Sequence, residues 1–265
     1  MKIKNITKKN YHRLYSLLNK KIFYDKYNKL KTLSMSIDDY NTISDIPLEE
    51  ILFIAEKYDF KKENPPNRIK DSYYGLMIEI CFYKYLIREG YDVRISTSKE
   101  NMYDHVDFII NGNGLVDCKI DIKGKKRKKK SENRTTDIIV EFLGITGHMG
   151  WIYGKSDYIV FFTCTDDIID FFFIKRLVLL EISTKGIFRG FDMKKQKFSE
   201  QYRLERHPLK NKNVVIEEYK FKVNKDYDDN IYNLYDRRDD GRLDLMTFLP
   251  FEHIIDFGVF GIHNL

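Results

Sequence analysis

Cysteine is scarce in this chain, and the three present, Cys81, Cys118 and Cys164, are far apart and set in apolar sequence. An odd number at such distances excludes a disulfide framework and any zinc-ligand spacing, and fits reduced core thiols. No apolar run approaches the roughly 20 residues that cross a bilayer, so no membrane partner is expected. The stretch Met1-Lys2-Ile3-Lys4-Asn5 has no apolar h-region, so it does not read as a secretory signal. A glycine-rich phosphate loop and internal repeats are also missing, and the histidines are scattered without a metal triad. Together these absences point to the cytoplasm for a bacterial or phage protein and to the nucleus for a eukaryotic or viral one.

What is present is a sizeable globular core and one strong charge cluster. The 265 residues are 43% apolar and 15% aromatic, enough to bury a core and too apolar for a disordered tail. The net charge of +6 equals the charge of one run, Lys125-Lys126-Arg127-Lys128-Lys129-Lys130. A polyanion such as nucleic acid is the natural partner of that run. A solvated loop or a nuclear-import signal would read the same way.

The most informative segment lies just before it. Val106-Asp107-Phe108-Ile109-Ile110 is a short apolar run with an acid in it, Asn111-Gly112-Asn113-Gly114 is a turn, and Leu115 to Lys123 alternates. This predicts a β-hairpin. Strand side chains alternate between faces, so Asp117, Lys119, Asp121 and Lys123 are expected on one face, and Val116, Cys118, Ile120 and Ile122 on a buried one. Carboxylates beside lysines, with a further Asp one strand away, suit a divalent cation with an adjacent amine.

Around the hairpin the chain reads as mixed α/β (α+β), with a mixed central sheet flanked by helices. Residues 1–64 read as a helical extension, with apolar residues at helical spacing in Tyr11 to Leu18 and in Ile46 to Tyr58. Asn64-Pro65-Pro66-Asn67 marks a boundary. A core over 65–184 follows. Asp71 or Ser72 would cap a helix from Tyr73 to Arg88 that closes at Glu89-Gly90, with Glu79 beside its apolar face. Strands are expected at 91–96, 137–143, 157–163 and 168–174, then a helix from Lys175 to Ile182. Residues 185–265 turn polar before an apolar segment, Leu245 to Phe260, that could return to the sheet.

Taken in order, Glu79 on a helix, Asp107 on one strand and Asp121-Ile122-Lys123 on the next resemble the PD-(D/E)XK nuclease superfamily, over roughly residues 71–180. Val106 stands where the name-giving motif has Pro. Gly150-Trp151-Ile152-Tyr153-Gly154-Lys155 is similar to a loop of phage members. The resemblance implies a restriction-endonuclease-like core and a Mg²⁺-dependent nuclease (Mn²⁺ substituting) acting on DNA ahead of RNA. Asp107, Asp121 and the Ile122 carbonyl would hold the cation, and Glu79 would bind a second ion or orient the attacking water. Lys123 would stabilise charge in the transition state. Glu141 is a candidate auxiliary or a solvated strand acid. Lys125 to Lys130, with Lys155, would contact the nucleic-acid backbone. Cutting both strands of a duplex needs two sites or two visits, so a homodimer is expected. A protein that kept the fold and bound nucleic acid without cleaving it is the alternative.

Two Asp-X-Lys frames overlap, Asp117-Cys118-Lys119 and Asp121-Ile122-Lys123, and face parity does not choose between them. The second is favoured, because it ends the strand, precedes Gly124 and the basic run, and lies away from the hairpin turn.

Overall fold

The computed structural model describes residues 8–27, 30–57, 67–124, 137–144, 149–164, 169–189, 234–236 and 245–265. The chain divides into two units that are not consecutive in sequence. The first comprises residues 1–126, 158–173 and 260–265, and the second residues 127–157 and 174–259.

Most residues of a mixed six-stranded sheet belong to the first unit. Strands β3 (Asp92–Ile95), β4 (Phe108–Gly112), β5 (Leu115–Lys123), β7 (Tyr158–Cys164), β8 (Ile169–Lys175) and β11 (Gly258–Phe260) are ordered β11-β8-β7-β5-β4-β3. The pairs β3/β4 and β4/β5 are antiparallel, and β5/β7 is parallel. The edge strand β3 alternates exposed Asp92 and Arg94 with half-buried residues. Charges on such an edge guard against pairing with another chain. The apolar runs 159–162 and 171–174 are buried without alternation, as expected for strands covered on both faces.

Helix α4 (Asn67–Arg88) crosses this sheet. It begins six residues before the expected Tyr73, so Asp71 and Ser72 lie inside it and do not cap it. No Gly or Pro lies between Asn67 and Ser72 to stop a helix there. Phe82 is fully buried, and its ring lies 4.9 Å from Phe171, 5.7 Å from Phe108 and 5.9 Å from Phe173. This aromatic cluster fixes α4 against strands β4 and β8.

The expected N-terminal helices appear as α1 (Lys8–Lys21) and α3 (Leu48–Lys57), joined by a short hairpin β1 (Ile22–Tyr24)/β2 (Leu30–Thr32) and α2 (Ile37–Thr42). Ser36 and Asp39 form a reciprocal capping box at the start of α2. Lys84 on α4 donates to the carbonyls of Ser44 (2.7 Å) and Ile46, which ties the α2–α3 turn to α4.

In the second unit β6 (Asp137–Leu143) pairs with β10 (Leu245–Pro250), which pairs with β9 (Leu234–Asp236). Helix α5 runs from Arg176 to Arg189. Arg176 donates to the carbonyls of Ile152 and Ser156. The expected return of the C-terminal segment is therefore divided, β10 joining β6 and β11 joining β8.

Candidate metal centre

Hairpin β4/β5 forms where expected, but its alternation breaks near the turn. Ile110 pairs with Cys118 and Gly112 with Leu115, so Val116 and Asp117 together face Asn111. This is a β-bulge, which inserts one extra residue and re-aims its neighbours. Asp117 adopts a left-handed φ of 46° and its N–H donates to the Asn111 side chain at 2.8 Å. Val116, expected inside, is 80% exposed, and Asp117 is exposed too. Beyond the bulge the strand is buried on both sides: Ile120, Asp121 and Ile122 are all inaccessible. The two Asp-X-Lys frames are thus placed differently, the first at an exposed bulge and the second in the interior.

Asp121 has 1% of its side chain exposed, and its Oδ1 lies 2.7 Å from Lys123 Nζ. Its Oδ2 is buried without a hydrogen-bond partner. Asp107, immediately before β4, accepts from the Ile122 N–H (2.8 Å) and from Asn101 Nδ2 (2.7 Å). The Asp107 N–H donates to the Ile120 carbonyl at 2.8 Å. Those backbone bonds on either side of Asp107 hold its carboxylate beside β5.

Glu79 reaches the same place from α4. Close approach is possible because Gly124 follows Lys123: a Cβ there would meet Ile78 Cδ1 at 2.7 Å and Tyr74 Cε1 at 3.0 Å. Burial pushes the Glu79 carboxyl up to about 8, Asp107 adds to the shift, Lys123 opposes it and Asp121 adds further. Asp121 is also raised well above the usual range, by burial first; Lys123 opposes this and Asp107 reinforces it. Three carboxyls around one ammonium, if all were ionised, would leave two uncompensated negative charges in a site whose central acid, Asp121, is buried. Protons or a divalent cation must offset them.

The residues fit such a cation. Among the described residues no group of three or more His, Cys, Asp or Glu side chains is arranged to hold a metal. Mg²⁺, however, is commonly held by only one or two carboxylates and keeps several waters. Asp107 and Asp121, whose Oδ2 is buried without a donor, meet that requirement.

Other candidates lie elsewhere. Glu141 is on β6, whose partner is β10 and not β5, so it is not on the neighbouring strand as expected. Lys155 is exposed in the second unit. Lys125, Lys126, Arg127, Lys128, Lys129 and Lys130 lie outside the described residues. Trp151 is buried.

Two neighbours of the centre were not foreseen. Asn101 had a weak signal, since Thr97-x-x-Glu100 just before it is a capping-box pattern. Tyr40 had none. It is buried on α2, stacks on Tyr83 with ring centroids 4.2 Å apart, and lies 6.3 Å from Phe108. Its phenol is pushed well above the usual range by burial and then by the charges of Glu79 and Asp107.

No protein-family model, curated protein or solved structure matches the chain. The structure itself defines a mixed α/β protein with a mixed multi-strand sheet, whose described helices include none long and apolar enough to cross a membrane.

Proposed function

We propose that this chain is a metal-dependent nuclease of the PD-(D/E)XK type, a Mg²⁺-dependent endonuclease that hydrolyses phosphodiester bonds in DNA. The observation that carries the reading is the Asp121–Lys123 pair, with one Asp121 oxygen on the lysine and the other buried without a donor, the Asp107 carboxyl acting on it. A purely structural ion pair gains little from a second, half-buried carboxylate next to it, because like charges repel. A cation site needs it.

Asp107, Asp121 and the Ile122 carbonyl would hold the cation. When bound, the cation supplies positive charge against the scissile phosphate and favours ionisation of the attacking water. Asn101 and the Ile122 N–H orient Asp107. Lys123 Nζ, 27% exposed as a side chain, places its charge where negative charge grows on the phosphoryl oxygens. Glu79, with its carboxyl pushed up to about 8, can hold a proton at neutral pH or release it when positive charge enters the site. Gly124, packed against Ile78 and Tyr74 with no room for a Cβ, lets the strand end that carries Lys123 come close to α4.

The test is cleavage of duplex, single-stranded and four-way-junction DNA, with RNA alongside, in Mg²⁺ or Mn²⁺ and in EDTA. Wild type and Lys123→Ala are run together. Metal-dependent cutting that the variant loses supports the nuclease and ranks its substrates. Unchanged binding with no cutting would replace it with a nucleic-acid-binding protein.

A further inference from the structure

One turn beside the acid cluster carries features that neither folding nor cation binding uses. Glu100–Asp104 is a π-helical turn, closed where the N–H of His105 donates to the Glu100 carbonyl. His105 is held in the left-handed region at φ 50°, a conformation that costs a residue with a Cβ. Single π turns are rare and concentrate at functional sites.

The turn is pinned at its first residue. Arg94 on β3 forms a two-pronged bond to Glu100 (3.0 and 2.9 Å), and Thr97 and Glu100 exchange a capping box. Arg94, with Thr97, holds the Glu100 carboxyl down to about 2, so the anchor stays charged over the working pH range. Its second residue, Asn101, bonds Asp107. Directly after these anchors Met102 is 64% exposed and Tyr103 is 70% exposed. Two large apolar side chains held this firmly in water add nothing to the core, and turns are usually filled by small or polar residues.

We propose that Met102 and Tyr103 form a wedge that stacks against an unpaired nucleobase of the strand whose phosphate lies at the acid cluster. This rests on the phosphodiester reading above and names the substrate it favours, a strand already distorted or single. Tyr103 is two residues from Asn101, so it is at most about 7 Å farther along the chain, roughly two nucleotide steps. A base there is offered an aromatic face and a polarisable thioether, contacts that tolerate any base. Intact duplex would have to unstack first, which costs energy that a bulged or single-stranded site does not require.

The probes are fluorescein-labelled DNA 30-mers, an intact duplex, the same duplex with a two-base bulge, and the single strand, each titrated by anisotropy without divalent metal. Wild type should prefer the bulged and single-stranded probes. Tyr103→Ala should weaken that binding by roughly 5- to 150-fold, the range for losing one base–aromatic stack. Tyr103→Phe should restore it, and Met102→Ala should lie between. The intact duplex should be little affected. Because both side chains are exposed, thermal unfolding of the variants should match wild type. Equal affinity of Tyr103→Ala and wild type for all probes overturns the wedge, and leaves the nuclease reading to the cleavage assay. A wild type that binds with this pattern but never cleaves in Mg²⁺ keeps the wedge and overturns the nuclease. Absence of binding to any probe overturns both.

Discussion

A buried carboxyl raised above its ordinary value makes folding compete with ionisation. Glu79, ordinarily at 4.5, is pushed up to about 8, and Asp121, ordinarily at 3.8, is raised in the same direction. The folded state therefore keeps protons that the unfolded chain releases above about pH 4.5. The stabilisation is fully present below that value and is lost as pH rises toward 8. In EDTA the melting temperature should fall between pH 5 and pH 8.5. Mg²⁺ should raise it far more at pH 8.5, where it replaces the lost protons, and Glu79→Gln should flatten the metal-free dependence. A melting temperature in EDTA that does not change with pH would show that the carboxyls are not enclosed. On the same scale, Lys123→Ala should lower cleavage by about 10²–10³-fold, the usual effect of removing one group that stabilises developing charge. Asp117→Ala should cost little, because Asp117 sits on an exposed bulge. Initial rates on a single substrate rank the two.

Elements place these residues through a few interactions of high sequence separation. Helix α4 carries Glu79, and Phe82 three residues later locks it onto the sheet through Phe108, Phe171 and Phe173. Phe82→Ala should destabilise the protein by about 3–5 kcal/mol, measured by urea unfolding, because it removes a fully buried ring and leaves a cavity. Lys84 bonds carbonyls at the end of α2, the helix that brings Tyr40 over the acids. Replacing it with Met would remove the ammonium from those partly exposed carbonyls, a loss of about 0.5–1.5 kcal/mol in the same titration. Hairpin β4/β5 was legible because a period of two is local. Its bulge was not, since a bulge exists only once two strands are in register.

At the scale of the molecule, the run Lys125 to Lys130 equals the whole net charge. If it binds nucleic acid, binding must release counterions. Changing all six residues to Ser should make duplex binding less salt-dependent, by about 0.9 in the log–log slope for each phosphate that is no longer neutralised. Anisotropy between 50 and 200 mM salt measures this, and an unchanged slope would mark the run as a solvated loop. The linear order of residues determined that a helix acid, an Asp at the entrance of a strand and a strand Asp-X-Lys exist, because helical and strand periodicities repeat within a few residues. It also determined that the second Asp-X-Lys frame ends its strand. Only the tertiary structure decided that Asp121 is buried with a free oxygen, that Glu141 belongs to another sheet, and that Asn101 and Tyr40 stand beside the acids. Strand pairing and helix docking join residues tens of positions apart, and a pairing at such separation leaves no periodic trace in the chain.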